Sequence, residues 1–279
     1  MKFGVCAILK NENLYLREWV EHYISLGFDK IILYDNNDIN GETPNIVIQD
    51  YIHNDIVDLY NMRGLNVDVD VNFECSIQTA SYNKCLEKYK DELDWIAFLD
   101  IDEFLELKIY KKIQSVFSHY DYNDFDGILI SSYMIGDDNK LYYENKPVQE
   151  RFKEHRIFVD NILGINNMDQ IFKCIVNTKS NKKFNSASPH NIISDNLCNV
   201  YRYKINLSYP CCYLNAANHN IMYFKHYYTK SFTEFLYKIH RYSWSKLSQE
   251  SKFKIYKTGC NWTDEHEKLY QRFLSIDKI

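Results

Sequence analysis

The chain has 279 residues, a formal net charge of -5 and a pI near 6.0, which excludes the basic footprint that a general nucleic-acid binder needs. Charged residues make up 25% and hydrophobic residues 46%, the balance of a folded globular chain rather than a disordered one. This length suits one large α/β domain, or one with a substantial appendage.

Phe3 to Leu9 is mostly apolar and predicts a first buried strand, followed by the polar loop Lys10-Asn11-Glu12-Asn13 with an Asn as helix N-cap. Leu16, Trp19, Val20, Tyr23 and Ile24 recur at helical spacing, and Gly27 stands where a helix C-terminus favours glycine. Lys30 to Tyr34 predicts a second strand ending at Asp35-Asn36-Asn37-Asp38. The unit is βαβ, so the two strands should run parallel. Thr43-Pro44 opens a short helix with Ile46, Val47 and Tyr51 on its buried side, and Ile56 to Tyr60 predicts a third strand. The polar loop 61–72 leads to a helix over roughly 74–90 that turns Ile77, Ala80, Cys85 and Tyr89 inward. Trp95 to Leu99 is an unbroken apolar run stopped by Asp100-Ile101-Asp102, the pattern of a strand buried on both faces.

Beyond it the spacing predicts an amphipathic helix near Ile109–Ser118 and a strand over Gly127–Ile135. Further strands are expected at Ile157–Val159, Phe172–Val176 and Ile221–Phe224. Ser231 to Glu234 reads as a capping box for a helix with Phe232, Phe235, Leu236 and Ile239 on one stripe, and a last helix follows Thr263. The fold class expected is α/β: a mostly parallel sheet flanked by helices. A Rossmann-like half over 1–135 is continuous with a less regular half over 136–279, in a single domain.

Polar clusters follow each strand of the first half: Asn11-Glu12, Asp35-Asn36, Asn61 to Arg63, and Asp100 to Asp102. Ligands of parallel sheets gather at that rim. If extended geometry persists past Leu99, Asp100 and Asp102 share a face and suit Mg²⁺ or Mn²⁺, which take one or two carboxylates plus substrate phosphates. The competing reading is a pair of capping residues for the next helix. Neither Gly-x-Gly-x-x-Gly nor Gly-x-x-x-x-Gly-Lys-Ser/Thr occurs, so any diphosphate must be neutralised by a metal and basic side chains.

Several segments carry a resemblance: Lys10-Asn11-Glu12, Arg17 to Tyr23, Leu26-Gly27-Phe28, Tyr34-Asp35-Asn36, Gln78, Trp95-Ile96 and Leu99 to Phe104. It continues through Glu150-Arg151-Phe152, Lys173, His190, His226 to Ser231, Glu234-Phe235 and Lys238. Together they resemble glycosyltransferases of the family 92 and family 2-like group, which have the GT-A fold. Tyr242 after Arg241 departs from the group's Arg-Gly pair, and Asp137 to Asn167 matches poorly. The resemblance implies a nucleoside-diphosphate sugar donor, a UDP-sugar, and a glycan or glycolipid acceptor. It places Asp35 on the base or ribose, with Asn11, Glu12 and Asn36 nearby and Gln78 in the same set. Asp100 and Asp102 hold Mn²⁺ or Mg²⁺, His226 completes the metal shell, and Lys173 or Lys230 neutralises phosphate. Inversion is the expected outcome, and the base that takes the acceptor proton is one of Asp169, His190 and Glu150. The competing classes are a non-catalytic sugar-nucleotide or glycan-binding protein and a metal-dependent phosphoryl transferase; the latter would need more lysines near the fourth strand.

Cysteine usage bears on compartment. Among 8 Cys there is no Cys-x-x-Cys pair, and Cys6, Cys85 and Cys174 sit in apolar patterns, so reduced thiols in the cytoplasm are expected. The N-terminus lacks the apolar core of a signal peptide, and no stretch reaches 18 apolar residues, so a soluble chain is expected. Lys230, Lys238, His240, Arg241 and Lys246, with Phe232, Phe235 and Trp244, allow a peripheral contact with an anionic membrane or a solvated face over an ordinary core stripe.

Overall fold

A computed structural model describes residues 1–65, 77–161, 164–186, 188–207, 212–241 and 246–276, with the backbone alone for 241, 246–249 and 276. The chain divides into two compact units, Met1–Ser131 with Ile171–Phe224, and Ser132–Gln170 with Lys225–Ile279. Residues 171–224 thus belong to the same unit as the N-terminal strands.

The first unit opens with β1 (Phe3–Leu9), α1 (Asn13–Ser25), β2 (Lys30–Asp35), α2 (Pro44–Val47), α3 (Gln49–His53) and β3 (Val57–Asn61). It continues with α4 (Ile77–Tyr89), β4 (Trp95–Phe98), β5 (Glu103–Leu107), α5 (Ile113–His119) and β6 (Gly127–Met134). After α6 (Val148–Arg151) in the second unit come β7 (Phe172–Asn177), β8 (Phe184–Asn185), β9 (Ser188–Ile192), β10 (Leu197–Asn199), β11 (Lys204–Ile205) and β12 (Met222–His226). The second unit closes with α7 (Phe232–Arg241), α8 (Lys246–Gly259) and α9 (Asp264–Ile276).

The main sheet has the order β11-β10-β6-β7-β4-β1-β2-β3, with β12 against β5 and β6. Strands β4, β1, β2 and β3 run parallel, as do β6 and β10. Between these groups β7 runs antiparallel to both β4 and β6, pairing Ala97 with Ile175 and Ile130 with Lys173. Both faces of β4 are covered, which is why Trp95 to Phe98 can be wholly apolar. On one side Phe117 of α5 packs on Phe3 and Trp95 at centroid distances of 4.7 and 5.0 Å. On the other, Tyr82 and Cys85 of α4 join Phe98, Phe184 and Ile192 in a single core cluster. Burying each such side chain contributes roughly 1.5–3 kcal/mol.

Helix α1 ends as its glycine predicts. Gly27 takes φ +88°, and Phe28 N–H returns to the Tyr23 carbonyl at 3.1 Å, closing the last turn. Its N-cap is Glu12, without a side-chain capping bond, rather than an asparagine. The expected single helix after Thr43 breaks in two at Ile48, where φ is -125°, and Ile46 is exposed rather than on a buried side. The start expected for α4 and the end of the preceding loop lie outside the described residues.

Two local expectations are corrected. The segment after Asp102 is a strand, because Phe104, Leu105 and Leu107 are all buried; the helix expected from Ile109 therefore starts at Ile113. Ile157–Val159 is not a strand: Ile157 is exposed while Phe158 is buried against Gly259.

In the second unit the capping box forms, with Glu234 N–H 3.4 Å from Ser231 Oγ and Ser231 N–H 3.2 Å from Glu234 Oε2. The same carboxylate receives both guanidinium nitrogens of Arg151 at 2.7 and 2.9 Å, a buried bidentate pair. Phe232 and Phe235 of α7 are buried against Tyr256 of α8 at 5.4 and 4.7 Å. They are therefore core, and Lys230 is buried too, which removes these residues from a membrane-facing patch; Trp244 lies outside the described residues. No described helix is long and apolar enough to cross a membrane. Cys6, Cys85, Cys174, Cys198 and Cys260 are buried thiols.

Candidate functional site

The loops after β1 and β2 are tied to each other in the first unit. Asn11, with φ +53°, donates its N–H to Asn37 Oδ1 at 2.7 Å, and Asn13 N–H reaches Glu42 Oε2 at 2.8 Å. Asp35 is buried: one oxygen accepts from Asn37 N and Nδ2 at 3.0 and 2.6 Å, the other from Arg63 Nε at 2.7 Å. Asp35 is thus the post that holds the rim loop. Beside it the carboxamide oxygens of Asn13 and Asn36 are buried with no hydrogen-bond partner among the described residues. A buried acceptor left so costs about 1–3 kcal/mol, a cost that a ligand N–H or O–H would remove.

The second cluster is at the end of β4. Extended geometry does not persist there: residues 101–102 form a turn, closed by Glu103 N–H on the Asp100 carbonyl at 3.0 Å. The Glu103 carboxylate caps the turn from within, accepting from Asp100 N at 2.8 Å. Helix α1 clasps it from outside. Trp19 Nε1 lies 3.0 Å from the carbonyls of both Asp100 and Glu103, and Tyr23 Oη donates to the Glu103 carbonyl at 2.9 Å. Sequence reasoning treated Trp19 and Tyr23 as apolar stripe and missed this; a polar handle on each buried ring was the available signal.

Asp100, Asp102 and Glu103 bring three carboxylates together, and Asp102 and Glu103 are buried. Antiparallel β7 delivers the buried Lys173, whose Nζ is 2.6 Å from Asp100 Oδ2 and 3.4 Å from Glu103 Oε2. Gln78 Nε2 donates to Asp100 Oδ1 at 2.9 Å. Burial opposes ionisation of Asp100, yet the Lys173 ammonium outweighs that cost and the repulsion from Asp102, so the carboxyl is held below its ordinary range. Burial also opposes the Lys173 charge; Asp100 and Glu103 overcome it and raise its pKa. His190 lies close enough for its charge to lower the pKa of Asp100. Its Nδ1 is 2.9 Å from the Phe172 carbonyl, which can only accept. That nitrogen is therefore assigned a hydrogen.

Among the described residues no group of three or more His, Cys, Asp and Glu side chains is arranged to hold a metal ion. The donor set of Asp100 and Asp102 nonetheless fits a hard dication that fills its remaining positions with water and phosphate oxygens. It does not amount to an all-protein cage.

The structure therefore gathers Asp100, Asp102, Gln78, Lys173 and His190 in one cluster, and Asn11, Glu12, Asp35 and Asn36 at the neighbouring strand ends. Glu150, Asp169, His226 and Lys230 belong to the second unit. Glu150 is exposed on the four-residue α6. His226 packs edge-on to Tyr228 at 5.6 Å, and Lys230 is buried with φ +53°. Asp169 is buried, accepting from Met134 N at 2.8 Å, with His155 Nε2 2.7 Å from its other oxygen. His155 stacks on Tyr133 at 4.1 Å. Sequence reasoning did not single out His155, which has no motif around it.

The family model of glycosyltransferase family 92 matches residues 2–261. A family 92 protein of Arabidopsis thaliana is 33% identical over 100 residues, covering 36% of this chain and 16% of the relative. One from Oryza sativa subsp. japonica is 26% identical over 116 residues, covering 42% and 18%. Each match thus spans less than a fifth of the relative's own length. Among solved structures, S. aureus TarS 1–349 superposes with a TM-score of 0.43 at 14% identity, covering 92% of this chain and 70% of that one. The same protein in complex with UDP-GlcNAc gives 0.37 at 15%, covering 64% and 46%.

Proposed function

The chain belongs to glycosyltransferase family 92, and on that premise we propose that it transfers a sugar from a nucleoside-diphosphate sugar, a UDP-sugar, to a hydroxyl of a glycan or glycolipid. The observation that carries this reading is the turn Asp100–Glu103, where Asp100 and Glu103 meet the buried Lys173 and the Asp102 carboxylate lies close by. Carboxylates gathered at a strand end suit a dication and, through it, a diphosphate.

In this reading Asp100 and Asp102 hold Mn²⁺ or Mg²⁺, which supplies Lewis-acid stabilisation of the leaving diphosphate. Lys173 keeps Asp100 ionised and places a fixed positive charge near the phosphates. Gln78 orients the Asp100 carboxylate. Asn13 and Asn36 offer their buried carboxamide oxygens to N–H or O–H groups of the base and ribose, with Asp35 and Arg63 bracing the loop. In the transfer the acceptor oxygen forms a bond to the anomeric carbon while the bond from that carbon to the diphosphate oxygen breaks. The nucleoside diphosphate departs with the electron pair, and the configuration inverts. The hydroxyl proton passes to a general base within hydrogen-bond reach of the acceptor. His190, a candidate for that role from sequence, is assigned here to the phosphate end, beside Asp100.

The test is thermal stability against a panel of nucleotides and nucleotide sugars, with and without Mn²⁺. At 100 times Kd a ligand stabilises by roughly 2.7 kcal/mol, a shift of about 5 °C at this size. A shift with one uridine nucleotide that vanishes without metal is expected. No shift with any nucleotide would sink the reading.

A further inference from the structure

A cavity of about 720 Å³ opens in the first unit at the β6–β10–β11 end of the main sheet, apart from the carboxylate turn. That volume lies within the range of small-ligand sites, roughly 300–1,000 Å³. Its wall alternates apolar and hydrogen-bonding groups: Leu129, Ile205 and Leu214 beside Asn199, Asn206 and Asn218. No carboxylate occurs among the described residues that line it, and Lys204 is its one cation.

The asparagines keep donors that the fold does not use. Asn199 uses its side-chain oxygen to accept from Tyr201 N and Tyr203 N, both at 3.0 Å, and Asn218 uses its own to accept from Asn220 N at 3.1 Å. Their amide NH₂ groups, and the whole Asn206 side chain, have no hydrogen-bond partner among the described residues. Asn206 thus offers one donor and one acceptor side by side, the spacing of neighbouring hydroxyls on a sugar ring, and Asn199 and Asn218 each add a donor. Apolar patches between them suit the ring's C–H faces, and Tyr213 stands half-exposed at the wall.

The cavity is also wired to the carboxylate turn. Tyr213 bridges to Ile171, and the Cys212 carbonyl accepts from Phe172 N at 3.1 Å. The carbonyl of the same Phe172 faces His190 Nδ1, and the next residue, Lys173, reaches Asp100. One short stretch of β7 thus separates the cavity wall from the groups assigned to the diphosphate.

We propose that this cavity is the carbohydrate subsite that holds the acceptor, built from the carboxamides of Asn199, Asn206 and Asn218 over the Leu129–Ile205–Leu214 floor. The assignment rests on the transferase reading above and adds where in the chain the acceptor binds and by what chemistry. An oligosaccharide of three or more hexose or N-acetylhexosamine units is the ligand class; an acidic sugar would add a contact to Lys204.

Binding to an array of neutral and uronic-acid oligosaccharides would be measured for the full chain and for Asn206→Ala and Ala216→Trp, alongside UDP binding by thermal shift in Mn²⁺. Ala216 is exposed on the cavity wall and leaves room for the larger ring to fill it. A bound oligosaccharide is expected, weakened about 3- to 10-fold in Asn206→Ala, as loss of one hydrogen bond would give, and lost in Ala216→Trp, with the UDP shift unchanged in both. Oligosaccharides bound equally by all three proteins, or by none of them while the UDP shift persists, would overturn the assignment. A missing UDP shift with variant-sensitive sugar binding would strike the transferase reading and leave the carbohydrate site standing.

Discussion

The two units handle buried charge in opposite ways. In the second, buried charges are taken up in pairs: Arg151 meets both oxygens of Glu234, and Asp169 is shared between a backbone N–H and His155. In the first, Asp100, Asp102 and Glu103 crowd one turn, and the carboxamide oxygens of Asn13 and Asn36 are left without partners among the described residues. Folding alone does not require such crowding. Paired charges read as scaffold and crowded like charges as a place kept for something else.

The contrast can be broken by substitution. The largest effect is expected for Asp102→Asn, which removes one of the crowded carboxylates. Sugar transfer should fall by about 10³-fold or more, the several kcal/mol that a metal supplies to a leaving group. The melting temperature should stay put, and a variant with near-normal turnover would sink the metal assignment. Arg151→Met should do the reverse, leaving nucleotide binding to the first unit unaltered while costing about 3–5 kcal/mol of folding stability, because Glu234 is stranded in the core. Urea denaturation measures it, and adding Glu234→Leu should recover most of the loss.

A smaller effect concerns acid. His266 is buried, with Nδ1 accepting from Thr263 and Nε2 4.0 Å from Asp137. Burial lowers its pKa, against the opposing pull of Asp137 and Glu265. Because the folded value lies below the unfolded one, near 6.5, this contribution is fully present above that pH and lost as pH falls below it. Melting temperature followed from pH 8 to 5 should drop less in His266→Gln than in the unaltered chain. The smallest effect is expected for Asn36→Ala. Deleting an unpartnered acceptor should leave stability level or slightly raised while weakening UDP binding about 3- to 10-fold. Equal losses in both would return Asn36 to the scaffold.

Much of the first unit was legible because two-face burial leaves an unmistakable mark: Phe3 to Leu9 and Trp95 to Phe98 can be apolar throughout only between layers. The rim residues followed, since they stand where such strands stop. What could not be read were the partnerships. Nothing in Trp19 announces that its indole holds a turn 81 residues away, and nothing in His155 points to Asp169. Asp100 and Asp102 were rightly placed at the strand end but wrongly given strand geometry, because the Glu103 carboxylate folds the turn back onto the Asp100 N–H. The second unit was harder still. Its buried stripes on α7 and α8 face one another, and α8 has too mixed a pattern to stand out.

The antiparallel course of β7 carries a last consequence, for the order in which the molecule can assemble. Parallel strands β1, β2, β3 and β4 are complete by residue 98, yet the edge of β4 and the carboxylates beyond it wait for a strand that begins at Phe172. Until that segment arrives, a ribosome-bound chain exposes an open sheet edge and a turn whose like charges repel one another. The contact from Lys173 to Asp100 spans 73 residues, so its closure is entropically late. The N-terminal half is thus no freestanding nucleotide module that could be cut away and studied alone; its charge is balanced by a residue from a part of the chain made well after it.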